Sequence, residues 1–89
     1  MKSIAMTLVS VIIPVYNEAA NISELIAALQ GLSESGVDFE FILVDDGSTD
    51  GSYDTCRQRV QGQTRFALLK LTRNFGSHAA LRAGMSVAR

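Results

Sequence analysis

Three short apolar runs, separated by segments with helical spacing, constrain the fold more than any other feature of this sequence. The runs cover residues 8–14, 39–44 and 66–71, and they are rich in β-branched and aromatic side chains, which favour buried strands. Between and after them, apolar spacing and capping residues predict helices over residues 21–32, 49–62 and 79–89. Strands that alternate with helices pair in parallel through right-handed crossovers. The sequence therefore predicts an α/β fold with a parallel sheet.

Composition agrees with one small globular unit and excludes several kinds of site. The 89 residues are 47% hydrophobic, and a chain of this size buries only about 60 to 65% of its unfolded surface, so we expect marginal stability. Cys56 and His78 are the sole residues of their types, which excludes a zinc cluster and a Cys/His nucleophile pair built from this sequence. We expect Cys56 to serve packing and His78 to lie at the surface or at a helix start.

Charge and hydropathy narrow the range of partners. The net charge is −1 and the eight basic residues are scattered, so no stripe suited to nucleic-acid phosphates is present. No stretch approaches the ~20 apolar residues that span a bilayer, so we predict no transmembrane segment in these residues. The first residues lack the pattern of a signal peptide, and we predict a cytoplasmic start.

Two adjacent acids, Asp45 and Asp46, follow the second apolar run directly and precede the turn-forming residues Gly47, Ser48 and Gly51. Neighbouring carboxylates repel each other and resist burial, so a ligand or a cation is the expected compensation. A helix N-terminus beyond them would stabilise one of the two. In a dry crevice, a carboxylate accepts the imide N–H of uracil, the N–H edge of guanine or a ribose hydroxyl, or binds a divalent cation.

The other two loops carry further candidates. Pro14, Tyr16 and Glu18 leave the first run and offer an aromatic face for a base and a carboxylate for hydroxyls. Arg73 and Gly76 follow the third run, where the guanidinium can meet a phosphate or pair with one of the acids. Because the predicted strands run parallel, the loops that follow them should all lie at one edge of the sheet. Ligands of parallel α/β sheets bind at that edge, beyond the carboxyl ends of the strands.

Three segments together closely resemble the start of family-2 inverting glycosyltransferases. They are residues 11–18 (VIIPVYNE), 44–51 (VDDGSTDG) and 71–76 (LTRNFG). Residues 73–76 (RNFG), followed by residues 79–84 (AALRAG), look most like the branch that charges polyprenyl phosphates, such as dolichyl-phosphate mannosyltransferase and bacterial undecaprenyl-phosphate glucosyltransferases. The resemblance extends from Val9 onward.

The resemblance implies the N-terminal, nucleotide-binding half of a GT-A domain, with a Rossmann-like parallel sheet. It implies transfer of a sugar from a UDP- or GDP-sugar to a polyprenyl phosphate, with Mg²⁺ or Mn²⁺ bound by a later Asp-x-Asp motif. The implied donor site places one group around base and ribose (Pro14, Tyr16, Glu18, Asp45), Asp46 nearer the diphosphate and metal, and Arg73 and Gly76 close to the donor pocket.

This sequence departs from the family pattern after the third run, because it contains no Asp-x-Asp motif. We therefore interpret residues 1–89 as a partial domain, truncated within the third helix, that supplies no catalytic residue and is inactive alone. A longer parent would lie in the cytoplasm or at the cytoplasmic face of a membrane. In the family's sheet a later strand flanks the first, so residues 9–13 would leave an open edge and favour self-association.

Three alternatives to this family differ from it in features that the sequence shows. A nicotinamide-binding unit needs a Gly-x-Gly-x-x-Gly turn after the first strand, where this chain has Pro-Val-Tyr-Asn-Glu. A receiver-type phosphoacceptor domain carries its acid pair after the first strand, whereas here the pair follows the second. The remaining alternative is a non-catalytic nucleotide-binding remnant or an inactive fragment. The sequence leaves the base, the sugar and the acceptor open.

Overall fold

A computed structural model describes residues 7–88, apart from the side chain of Ser77. Strands β1 (Thr7–Val15), β2 (Val37–Asp45) and β3 (Phe66–Lys70) alternate with helices α1 (Ile22–Gln30), α2 (Ser52–Val60) and α3 (Ser77–Val87). The strands form one parallel sheet in the order β1-β2-β3, which confirms the predicted α/β fold. The predictions about the chain start at residues 1–6 and about a helix reaching Arg89 lie partly outside the described residues.

The central strand, β2, is the most deeply buried part of the sheet. Every residue from 40 to 46 is buried, as expected for a parallel strand covered on both faces. The register aligns Val15 of β1 with Asp45 of β2, and Asp45 with Lys70 of β3. The three strands therefore end at the same level, and the loops that follow them start side by side.

Helices cover both faces of the sheet, because side chains alternate between the faces along each strand. On one face, α1 and α2 pack over a core that includes Val15, Ile26, Leu43 and Cys56. On the other face, α3 packs over Ile42 and Val44. The result is a three-layer unit with α1 and α2 on one side and α3 on the other.

Helix α3 approaches the sheet closely at Gly84. A Cβ atom placed there would lie 2.3 Å from Ile12 Cγ2 and 3.3 Å from Val44 Cγ2. The neighbouring Ala80 is fully buried in the same contact. The small residues that the sequence places on this helix therefore set how near its axis comes to the strands.

The helix ends depart from the sequence interpretation. Asn21 precedes α1, but its side chain makes no capping hydrogen bond, so the predicted capping pair with Glu24 is wrong. Instead, Asn21 Nδ2 donates to Glu18 Oε2 at 3.1 Å. Before α2 the cap position is Gly51, in the left-handed region at φ 86°. The side-chain bond to that helix comes from one residue earlier, where Asp50 Oδ1 accepts the backbone N–H of Ser52.

Within residues 7–88, β1 is an edge strand that pairs with β2 alone, as predicted for residues 9–13. In the same part of the chain, no helix combines the length and the apolar character needed to cross a bilayer.

Candidate functional site

Three loops converge at the carboxyl edge of the sheet, as predicted. We name them loop 1 (residues 16–21, after β1), loop 2 (residues 46–51, after β2) and loop 3 (residues 71–76, after β3). Two backbone hydrogen bonds continue the sheet beyond its strands. The Asp46 N–H donates to the Val15 carbonyl and the Leu71 N–H to the Asp45 carbonyl, both at 2.8 Å.

Loop 1 is fastened to loop 2 through Asn17. Its backbone N–H donates to Ser48 Oγ at 2.9 Å, and its side-chain Oδ1 accepts the Thr49 N–H at 2.8 Å. Asn17 has φ 49°, a left-handed conformation that asparagine tolerates better than most residues. No local pattern predicts this contact, because Asn17 and its partners in loop 2 are more than 30 residues apart.

A second clamp joins loop 1 to the start of α2. The fully buried hydroxyl of Ser52 accepts the Glu18 N–H at 2.8 Å and donates to Asp50 Oδ1. Asp50 Oδ2 accepts the Ala19 N–H at 3.1 Å. These hydrogen bonds, of which the one from the Ser52 hydroxyl has the largest effect, lower the pKa of Asp50 below its ordinary value. The Asp50 carboxylate therefore stays charged at neutral pH. Ser52 and Asp50 thus hold the backbone on either side of Glu18.

Loop 3 lies directly against loop 2 at Gly47. This residue has φ 77°, and a Cβ atom there would lie 2.3 Å from the Arg73 carbonyl carbon and 2.4 Å from the Asn74 nitrogen. Only glycine meets both the backbone conformation and the close approach. The sequence interpretation of Gly47 as a turn residue is therefore incomplete, because the position also packs two loops together.

Asp45 turns toward the α2 side of the sheet. It is fully buried, and its Oδ2 accepts the Ser48 N–H at 3.1 Å. Burial, and to a smaller extent the negative charge of Asp45, raises the pKa of the Cys56 thiol to about 11. Cys56 is buried in the core, which confirms that it is a packing residue. Within residues 7–88, Asp45 Oδ1 is buried and has no hydrogen-bond partner.

Asp46 turns toward the α3 side. Its Oδ1 accepts the Phe75 N–H at 2.9 Å and its Oδ2 accepts the Gly76 N–H at 3.1 Å, immediately before α3. The side chain is 4% exposed. The period of two along an extended chain thus sends the adjacent acids to opposite faces, which relieves the repulsion expected between neighbours.

The remaining predicted site residues lie around these acids, and all of them except the half-buried Gly76 are exposed. Pro14 and Glu18 are exposed, and Tyr16 retains 45% of its accessible surface. The Arg73 guanidinium lies over the Phe75 ring, 4.6 Å from its centre, and within the described residues it pairs with neither aspartate. Gly76, at φ 94°, ends loop 3, and His78 is exposed in the first turn of α3, as predicted.

Lys70 is a site neighbour that the sequence interpretation missed. It pairs in register with Asp45, and its ammonium lies 4.8 Å from the centre of the Tyr53 ring. The available signal was its position one residue before the end of the strand predicted over residues 66–71. Lys70 therefore places a cation over Tyr53 of α2, on the strand that precedes loop 3 and next to the strand that carries Asp45.

The described residues do not form a metal site by themselves. No group of three His, Cys, Asp or Glu side chains suited to a metal ion occurs in residues 7–88. Both oxygens of Asp46 already accept backbone hydrogen bonds. The metal suggested near Asp46 would thus need ligands from elsewhere.

Comparison with known proteins matches this architecture to one family. The family model described as glycosyl transferase family 2 matches residues 10–89. The chain belongs to this family. The parallel sheet with helices on both faces agrees with the N-terminal, Rossmann-like half of a GT-A domain that the sequence predicted.

Curated relatives support the predicted branch of the family. A protein of Aeromonas hydrophila subsp. hydrophila is 43% identical over 95 residues, which cover 100% of this chain and 28% of the relative. One of Pseudomonas aeruginosa is 42% identical over 92 residues, covering 100% and 27%. One of Edwardsiella ictaluri is 42% identical over 80 residues, covering 88% and 25%. Each is named undecaprenyl-phosphate 4-deoxy-4-formamido-L-arabinose transferase. This chain thus spans about a quarter of the length of these relatives, and the predicted resemblance to polyprenyl-phosphate glycosyltransferases is confirmed.

Proposed function

We propose that this chain supplies the donor nucleotide-binding part of a polyprenyl-phosphate glycosyltransferase. In this proposal a longer enzyme transfers a sugar from a UDP- or GDP-sugar to a polyprenyl phosphate at the cytoplasmic face of a membrane. Support comes from the family match, from the names of the relatives and from the three loops that meet at the carboxyl edge of the sheet.

The buried Oδ1 of Asp45 carries the proposal. An unsatisfied buried acceptor costs about 1–3 kcal/mol, and more when it is charged, so this atom calls for a donor that residues 7–88 do not provide. The imide N–H of uracil and the N–H edge of guanine are donors of the right kind. Since Asp45 is fully covered in this structure, we expect binding to displace side chains of the exposed loop 1.

The neighbouring residues suit the rest of a nucleotide. Tyr16 offers an exposed ring against which a base can stack, and Glu18 offers a carboxylate to ribose hydroxyls. Pro14 lies at the end of β1, beside these two residues. Arg73 and Gly76 stand on loop 3, where a guanidinium and backbone N–H groups can meet the diphosphate.

The transfer step is proposed for the longer enzyme only. Mg²⁺ or Mn²⁺ would neutralise the leaving nucleoside diphosphate there, held by carboxylates that these residues do not bring together. A lipid phosphate is already an anion, so it needs no general base to attack the sugar. The residues described here bind and orient the nucleotide, and we expect this chain alone to transfer no sugar.

A non-catalytic nucleotide-binding remnant is the second candidate. The described residues support it to this extent: they leave a buried oxygen of Asp45 for a base, and residues 7–88 bring no group of three metal-ligating side chains together. Nucleotide binding by this chain agrees with both candidates. Transfer activity regained when the chain is extended to the length of its relatives would select the enzyme.

Calorimetric titration of the chain with UDP and GDP, each with and without Mg²⁺, tests the proposal. We expect saturable binding of one nucleotide and a loss of about tenfold in affinity for Asp45→Asn, since an amide offers no charged acceptor to the base. Asp54→Asn is the matched control, because Asp54 is exposed on α2, where it pairs with the exposed Arg57. If the folded wild-type chain binds neither nucleotide, the proposal is wrong. Equal affinities of the two variants would remove Asp45 from the base pocket.

A further inference from the structure

Asp46 makes contacts that differ in kind from those of Asp45. Both carboxylate oxygens of Asp46 accept backbone N–H groups, from Phe75 and Gly76, whereas Asp45 keeps one buried oxygen without a partner in residues 7–88. Hydrogen bonds to a charged acceptor are roughly twice as strong as neutral ones. Withdrawing Asp46 to bind a ligand would break two of them at once.

The two amides that Asp46 holds are consecutive and end loop 3. Gly76, with φ 94°, donates its N–H to Asp46 and immediately precedes the first residue of α3. Next to them, the Arg73–Asn74 peptide packs against Gly47 so closely that a methyl group on Gly47 would not fit between the two loops. At its other end, loop 3 is tied to the sheet by the Leu71 N–H, which donates to the Asp45 carbonyl. Three successive residues, Asp45 at the end of β2 and Asp46 and Gly47 of loop 2, thus contact loop 3.

We propose that Asp46 is a positioning residue, which fixes loop 3 and the start of α3 at the nucleotide site and which contacts neither the metal nor the diphosphate. The inference rests on the proposed nucleotide-binding function. It divides the work of the acid pair, since Asp45 meets the nucleotide and Asp46 holds the segment that carries Arg73. Side-chain alternation continues one residue beyond β2, where the Asp46 N–H still bonds the Val15 carbonyl, and it produces this division.

Two variants of Asp46 separate positioning from metal binding. Asp46→Asn loses the charge, and Asp46→Glu keeps the charge but moves it by one methylene group. For both, we expect the Phe75 and Gly76 amide protons to move upfield in NMR spectra and to exchange at least about tenfold faster. We expect the affinity for the preferred nucleotide to fall by about tenfold, and by the same factor with and without Mg²⁺.

A third variant approaches the same contact from loop 3 and leaves Asp46 intact. Phe75→Pro removes the donating N–H, and Phe75→Ala is its control, because it removes the ring but keeps that N–H. Phe75 is 47% exposed, so both changes spare the core. We expect Phe75→Pro to weaken nucleotide binding more than Phe75→Ala, again to the same extent with and without Mg²⁺.

The outcomes separate the inference from the function on which it rests. The inference is overturned if Asp46→Asn weakens binding only when Mg²⁺ is present, if Asp46→Glu restores wild-type affinity, or if the Phe75 and Gly76 amides are unchanged. Equal nucleotide affinities of Phe75→Pro and Phe75→Ala overturn it as well. This comparison still decides the matter if Asp46→Asn does not fold. A folded wild-type chain that binds neither UDP nor GDP refutes the proposed function, and the positioning role at that site falls with it.

Discussion

Replacement of Gly47 by alanine tests whether contact between loops 2 and 3 holds the site together. The added methyl group would lie 2.3 Å from the Arg73 carbonyl carbon and 2.4 Å from the Asn74 nitrogen. Carbon atoms in contact normally stand about 3.5–4.0 Å apart, so loop 3 has to retreat by more than 1 Å. Backbone atoms cannot rotate away as a side chain can, and the retreat pulls on the two N–H groups held by Asp46.

The magnitude follows from two separate contributions. A residue with a Cβ pays about 1–2 kcal/mol in the left-handed region that Gly47 occupies at φ 77°. Overpacking adds about 1–3 kcal/mol. We therefore expect Gly47→Ala to lower the free energy of unfolding by about 2–5 kcal/mol. A chain of this size has little stability in reserve, so the measurement belongs in a stabilising osmolyte if the variant is unfolded in water.

Gly51→Ala is the matched control. Gly51 has nearly the same backbone conformation, φ 86°, but nothing lies within 4 Å of its added Cβ atom. It should lose only the conformational contribution of about 1–2 kcal/mol. Urea unfolding of the three proteins, followed by circular dichroism, gives the difference. Equal losses for Gly47→Ala and Gly51→Ala would refute the argument that contact between the loops sets the cost.

Two further predictions concern the core and the sheet edge. The Cys56 thiol should resist a disulfide reagent in the folded chain. Its pKa is higher in the folded chain, so the unfolded thiol loses its proton first as pH rises. The free energy of unfolding should therefore fall by about 3 kcal/mol between the ordinary pKa of 9.0 and the folded value of about 11. This loss should vanish in Cys56→Ala, and an alkaline decline that persists in that variant would contradict the assignment. The open edge of β1 should cause self-association, which Leu8→Lys reduces by placing a charge on the edge, whereas Leu32→Lys, equally exposed but outside the sheet, does not. Sedimentation velocity checks this, and a monomer at all concentrations would exclude edge pairing.

The sequence predicted the fold class and the convergence of the loops because those features depend on local patterns. Runs of β-branched residues, helical spacing and the positions of the polar loops specify a parallel sheet and its ligand edge almost independently of side-chain detail. The motifs in residues 11–18, 44–51 and 71–76 also sufficed to recognise the family, which the family match confirms. Helix ends were less predictable, as Asn21 shows, because its side chain binds Glu18 rather than the first turn of α1.

The sequence by itself determined that two acids end a buried strand, but only the tertiary structure decided what each acid does. Residues 45 and 46 look alike in sequence, and their partners lie in other parts of the chain. Asp46 meets the amides of Phe75 and Gly76 some 30 residues away, whereas Asp45 lies beside Cys56 of α2 and keeps one oxygen without a partner in residues 7–88. The physical reason is that the alternation of side chains along a strand assigns each residue to a face locally. The groups that each side chain then contacts depend on how α2 and α3 pack against the sheet.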